Sequence, residues 1–136
     1  QTIYWPFLHA SRYGRGVALD VRVHAPTYAT EEHDAVPLVD AIATIDDATD
    51  TATIFAVNRS QEGAVALSGD LRELEGYRVA EHLVLEHPDP KARNTIDAPD
   101  TVSPHDRGDA TLDTGTLDAT LPKLSWNVIR LTRKRD

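Results

Sequence analysis

A chain of 136 residues, 40% of them apolar, is long enough for one domain with a real core, and its 22 acidic against 14 basic residues (formal charge −8) argue against nucleic acid as the main partner. The absence of cysteine excludes disulfide staples and thiolate metal sites. No apolar run approaches the length of a membrane span and no signal-like segment opens the chain, so a cytoplasmic location is the expectation.

The first stretch, Thr2 to Tyr13, is rich in aromatics: Tyr4, Trp5, Phe7 and Tyr13. Pro6 suits a first helical turn, and Gly14 and Gly16 suit a stop. Pro6 to Tyr13 is about two turns, too short to hold alone, so it must pack on something. From Val17 the period becomes two: Val17, Leu19, Val21 and Val23 alternate with Ala18, Asp20, Arg22 and His24, predicting a half-buried strand that ends at Pro26. Val36 to Ile45 and Thr51 to Val57 form a predicted hairpin around Asp46-Asp47-Ala48-Thr49-Asp50. Gln61-Glu62-Gly63 turns the chain into a strand over Ala64 to Ser68. Asp70 to Gly76 resembles a single glycine-capped helical turn, and Tyr77 to Glu86 a long strand. His87 to Asp109 holds four prolines and reads as a long surface loop. Ala110 to Asp113, a Thr114-Gly115 turn and Thr116 to Leu121 form the last hairpin. It leads into Leu121 to Leu131, a strand apolar at both parities and therefore expected inside a layered sheet. Short strands, frequent turns and one short helix predict an all-β fold, an antiparallel sandwich of jelly-roll type.

The chemistry-bearing residues suggest no site. The histidines at 9, 24, 33, 82, 87 and 105 lack zinc-motif spacing, with His82 and His87 expected on opposite strand faces. Asp46, Asp47 and Asp50 lack the glycine and closing glutamate of a calcium loop and read as a solvated turn. A glycosidase needs two carboxylates roughly 5–10 Å apart. Glu81 and Glu86 differ in parity along one predicted strand and so point apart. Arg107-Gly108-Asp109 and Asn58-Arg59-Ser60 match an integrin tripeptide and a glycosylation sequon, both short enough to arise by chance. Arg130, Arg133, Lys134 and Arg135 are too few on an acidic chain for nucleic acid. No catalytic, cofactor-binding or metal-binding residue is expected, and no cofactor.

Three blocks carry a resemblance. Thr2-Ile3-Tyr4-Trp5-Pro6-Phe7-Leu8-His9-Ala10-Ser11-Arg12-Tyr13-Gly14-Arg15-Gly16-Val17-Ala18-Leu19 resembles the end of the catalytic domain of family 51 glycoside hydrolases, the α-L-arabinofuranosidases. Phe55 to Arg59 with Tyr77 to Leu85, and then Leu121 to Leu131, resemble their C-terminal domain. The resemblance implies a parent with a (β/α)8 barrel followed by this sandwich, retaining in stereochemistry. Its substrates would be terminal α-L-arabinofuranosyl groups of arabinan, arabinoxylan and arabino-oligosaccharides. It further implies that residues 1–16 end the barrel and 17–136 form the sandwich, with both catalytic glutamates on barrel segments ahead of Gln1. The sandwich would then brace the barrel, with oligomer contacts expected in the intact enzyme. Family sandwiches also take strands from the start of the full chain, so an unfilled sheet edge is expected. The rival expectation is a carbohydrate-binding module, with Trp5, Tyr28 or Trp126 stacking on sugar.

Overall fold

A computed structural model describes residues 1–106 and 108–134. Helix α1 (Tyr4–Tyr13) leads into strands β1 (Val17–Ala18), β2 (Thr27–Tyr28), β3 (Val36–Pro37), β4 (Val39–Asp46) and β5 (Thr51–Asn58). There follow β6 (Val65–Asp70), β7 (Tyr77–Leu85), β8 (Thr111–Asp113), β9 (Thr116–Leu121) and β10 (Ser125–Arg133). A five-stranded sheet, β1-β4-β5-β10-β7, packs on a three-stranded one, β6-β9-β8, with β2 and β3 forming a small ribbon. Every strand pairing is antiparallel. The fold is an all-β sandwich with one short helix.

The core follows from strand alternation. On the inner face of the large sheet Ala43, Ala52, Ile54, Tyr77, Ile129 and Leu131 meet Leu117 and Ala119 of β9, with Leu67 and Leu112 packed beside them. β10 lies between β5 and β7, and Val128, Ile129 and Leu131 are fully buried. That is why its apolar residues occupy both parities. The β8–β9 hairpin turns at Thr114 and Gly115, both at positive φ (46° and 79°). Two successive left-handed residues match the twist of a two-residue hairpin, and glycine takes the second without a steric penalty.

Four expectations need correction. The alternating segment Val17 to Val23 is a strand only at Val17–Ala18, paired with Ile45 and Thr44. Beyond it only the Leu19 N–H continues the ladder, donating to the Ala43 carbonyl at 2.9 Å. Val17, Leu19 and Val21 are exposed; alternation specifies a strand only where a neighbouring edge runs alongside. Asp70 to Gly76 is a pair of turns, not a helical turn. Bonds span three residues, Leu74 N–H to Leu71 and Tyr77 N–H to Leu74, while the Asp70 carboxylate takes the Arg72 N–H and guanidinium. Leu124, expected inside the last strand, sits before it at φ 48° and is exposed. Glu86 and His87 lie just past the end of β7, so strand parity does not orient them.

Candidate functional site

The outer face of the large sheet carries an apolar band beside a polar one, and strand register arranges them in rows. Ile42, Phe55, Val128 and Leu83 lie side by side across β4, β5, β10 and β7. The next row is Val57, Trp126 and Leu85, and on the other side run Thr44, Thr53, Arg130 and Glu81. Such a face needs a cover, and α1 supplies part of one. Trp5, His9 and Tyr13, four residues apart, share one side of the helix. The Trp126 indole N–H donates to His9 Nδ1 at 3.1 Å, and the Trp126 ring stacks on Phe55. The Arg130 guanidinium lies 4.1 Å from the Tyr13 ring centre and pairs with Glu81 at 2.8 Å. Thr44 Oγ1 donates to the Tyr13 carbonyl at 3.4 Å. Under this cover Phe55 and Val128 are buried, whereas Ile42, toward the β1 edge, is 63% exposed.

The helix is apolar on its far side as well. Ile3, Tyr4 and Phe7 are 58%, 56% and 69% exposed, and neighbouring Trp5 is half-buried. A ten-residue helix carrying large apolar groups on two sides has the composition of a buried helix rather than a surface one. With Ile42, which is exposed on the same outer face of the sheet, it makes an apolar surface in search of a partner. The isolated chain is expected to self-associate through it. In sedimentation velocity over a wide concentration range, Phe7→Glu should shift the distribution toward monomer; a wild-type chain that is a clean monomer throughout would refute this.

A second constellation is polar and sealed. His82, Ser125, Asn127 and Asn58 are each buried on the core side. His82 Nε2–H donates to Asn127 Oδ1 (3.0 Å), Asn127 Nδ2 to Ser125 Oγ (2.8 Å), and Ser125 Oγ–H to the Pro122 carbonyl (2.6 Å). The Ala110 N–H donates to His82 Nδ1, which fixes the neutral tautomer. Ser125 thus bonds to an amide rather than to the imidazole, no base faces its hydroxyl, and solvent has no access. The seam holds the layers together. Its sequence signal was Ser125 and Asn127 at alternate positions of an otherwise apolar strand.

The short patterns are absorbed structurally. The Asn58 side chain, 1% exposed, donates to the carbonyls of Leu121 and Pro122 and accepts the Ser60 N–H, leaving no amide for a glycan. Of the integrin-like tripeptide, Arg107 lies outside the described residues. A Cβ at Gly108 would collide with the His82 ring, and the Gly108 N–H donates to the His82 carbonyl. Asp109 accepts the Thr120 N–H at 2.7 Å, and hydrogen bonding from Thr120 holds its carboxyl below the usual carboxylate range. Asp50, expected in a solvated turn, is buried at positive φ and pairs with Arg133 at 2.8 Å. Of the basic terminal cluster, Arg135 also falls outside the described residues. Glu81 is engaged by Arg130, and Glu86 lies 3.5 Å from His105. Among the described residues no three His, Asp or Glu side chains converge as a metal site would require. Of the three candidate sugar-stacking aromatics, Trp126 and Tyr28 line a shallow groove of about 530 Å³, but the Trp126 ring is already stacked and its N–H bonded.

Residues 1–125 match the model of the α-L-arabinofuranosidase C-terminal domain. The chain belongs to this family. An intracellular exo-α-(1→5)-L-arabinofuranosidase of Halalkalibacterium halodurans is 47% identical over 134 residues, covering 98% of the chain and 26% of that protein. One of Streptomyces lividans is 47% identical over 130 residues, 96% of the chain and 20% of that protein. Among solved structures, a family 51 α-L-arabinofuranosidase from Bifidobacterium longum superposes with a TM-score of 0.83 at 34% identity, over 92% of the chain and 24% of that structure. The chain therefore spans about a quarter of the length of these arabinofuranosidases. No helix of the described residues is long and apolar enough to cross a membrane.

Proposed function

We propose that the chain is the non-catalytic sandwich of a retaining α-L-arabinofuranosidase, and that it braces the parent's catalytic barrel. The observation that carries this reading is the two-sided helix of a chain that matches only the family's C-terminal domain. One side of α1 grips the sheet through His9 and Tyr13, while Ile3, Tyr4 and Phe7 face outward at the place where a barrel would pack. Residues 1–16 are then the barrel's last segment and 17–136 the sandwich, with both catalytic glutamates in the barrel. Val39 to Ile42, which continue past the short β1 ladder, offer an edge for a strand from elsewhere in the parent.

The parent's substrates are terminal arabinofuranosyl groups of arabinan, arabinoxylan and their oligosaccharides, and contacts between copies in the intact enzyme run through this domain. The relatives' description as intracellular supports a cytoplasmic site of action. The 136-residue chain is expected to release no aryl alcohol from an aryl α-L-arabinofuranoside above the buffer rate. Turnover near that of an intact arabinofuranosidase would overturn the proposal.

A further inference from the structure

We propose that the His9–Trp126 bond is an acid-sensitive latch: protonation of His9 at Nδ1 removes the acceptor for the indole N–H and releases α1 from the large sheet. An indole nitrogen only donates, so the 3.1 Å bond requires a bare Nδ1 and a neutral imidazole with its proton on Nε2. A proton on Nδ1 would set two N–H groups against each other. The site is closed, His9 being 5% exposed, so water does not readily replace the lost partner.

The groups facing His9 are few. From its own helix come Trp5, the Tyr13 ring at 6.0 Å, and Arg12, whose charge disfavours imidazolium. From β10 comes Trp126, which is neutral; from β7 comes Glu81, which favours imidazolium but is already held by Arg130. Burial outweighs Glu81 and lowers the His9 pKa below its ordinary 6.5. The sign follows: the folded state resists the proton that the unfolded chain accepts. The latch therefore contributes fully above about 6.5 and is lost as pH falls below that value.

Helix α1 is exposed to this loss. It spans ten residues, its Ile3 N-cap makes no side-chain bond, and a helix of this length is marginal without tertiary support. Release would uncover Trp126 and the Phe55 beneath it, while the Tyr13–Arg130 stack and the Thr44–Tyr13 bond tether the C-terminal end. Opening thus starts from the Trp5 end.

The test is an NMR titration of the 136-residue chain from pH 8 to pH 5. The Trp126 indole N–H should lose about tenfold in exchange protection, beyond the intrinsic pH effect, as His9 titrates. His9→Gln keeps a carbonyl acceptor that does not titrate, and should hold its protection to pH 5. Protection of the wild type undiminished at pH 5, or the same loss in His9→Gln, would overturn the latch. Should the glutamine variant fold poorly, Trp126→Phe supplies an independent reading. With the donor gone, the His9 titration midpoint should rise toward 6.5, and an unchanged midpoint would overturn the proposal.

Discussion

Asn58→Ala is expected to lower the unfolding free energy by about 3 kcal/mol, read as a shift of the urea midpoint at unchanged slope. The size follows from what the amide does. Its Nδ2 donates to the carbonyls of Leu121 (2.9 Å), Pro122 (3.0 Å) and Gly63 (3.3 Å), while Oδ1 accepts the Ser60 N–H (2.9 Å). These groups belong to the passage from β5 to β6 and to that from β9 to β10, where the chain changes layers. Truncation leaves several of them without a partner where water enters poorly, and the penalty is that of desolvated orphan groups rather than of one lost bond. Asn58→Asp should be worse near neutral pH, because it sets a carboxylate against carbonyl oxygens. A loss below about 1 kcal/mol for the alanine variant would show that solvent reaches the site and satisfies those groups.

Ile129→Ala should cost about 3–4 kcal/mol, the range for a large-to-small change where the surroundings cannot collapse. Ile129 is fully buried in β10, an interior strand of the large sheet, and its backbone is held on both sides, opposite Ile54 and His82. Ile42→Ala is the control. It removes comparable side-chain atoms from the same sheet at a residue that is 63% exposed, and should change stability by less than about 1 kcal/mol in the isolated chain. Equal losses at the two sites, measured by denaturant unfolding, would place the core elsewhere.

Most of the layer architecture was readable, because it rests on side-chain period. The hairpin from Val39 to Asn58, the β8–β9 hairpin and the doubly apolar β10 all declare themselves through parity and turn residues. The segment from Val17 to Val23 does not, since its alternation describes what the side chains prefer and not whether an edge runs beside them. Leu124 misled for a related reason: its apolar side chain extends the strand pattern, yet its backbone turns at positive φ. The docking face was half legible. The aromatic crowd at Tyr4, Trp5 and Phe7 announced packing, but its division into a sheet-facing and an outward side needs the three-dimensional placement of His9 and Tyr13. The polar seam was hidden because His82 and Asn127 are 45 residues apart and meet only through strand register.

The position of β10 has a consequence for how the domain forms. The strand that separates β5 from β7 is translated after both of them, and its pairings with β5 join residues as far apart as Thr51 and Thr132. A nascent chain emerging as far as Leu121 can close the β4–β5 hairpin and the small sheet, but β5 and β7 have no direct ladder to each other. The large sheet is therefore assembled late, by insertion of a strand into a waiting gap. Non-local closure of this kind is slow and leaves apolar edges open in the meantime. Chains halted shortly before Ser125 are thus the species most in need of chaperone protection.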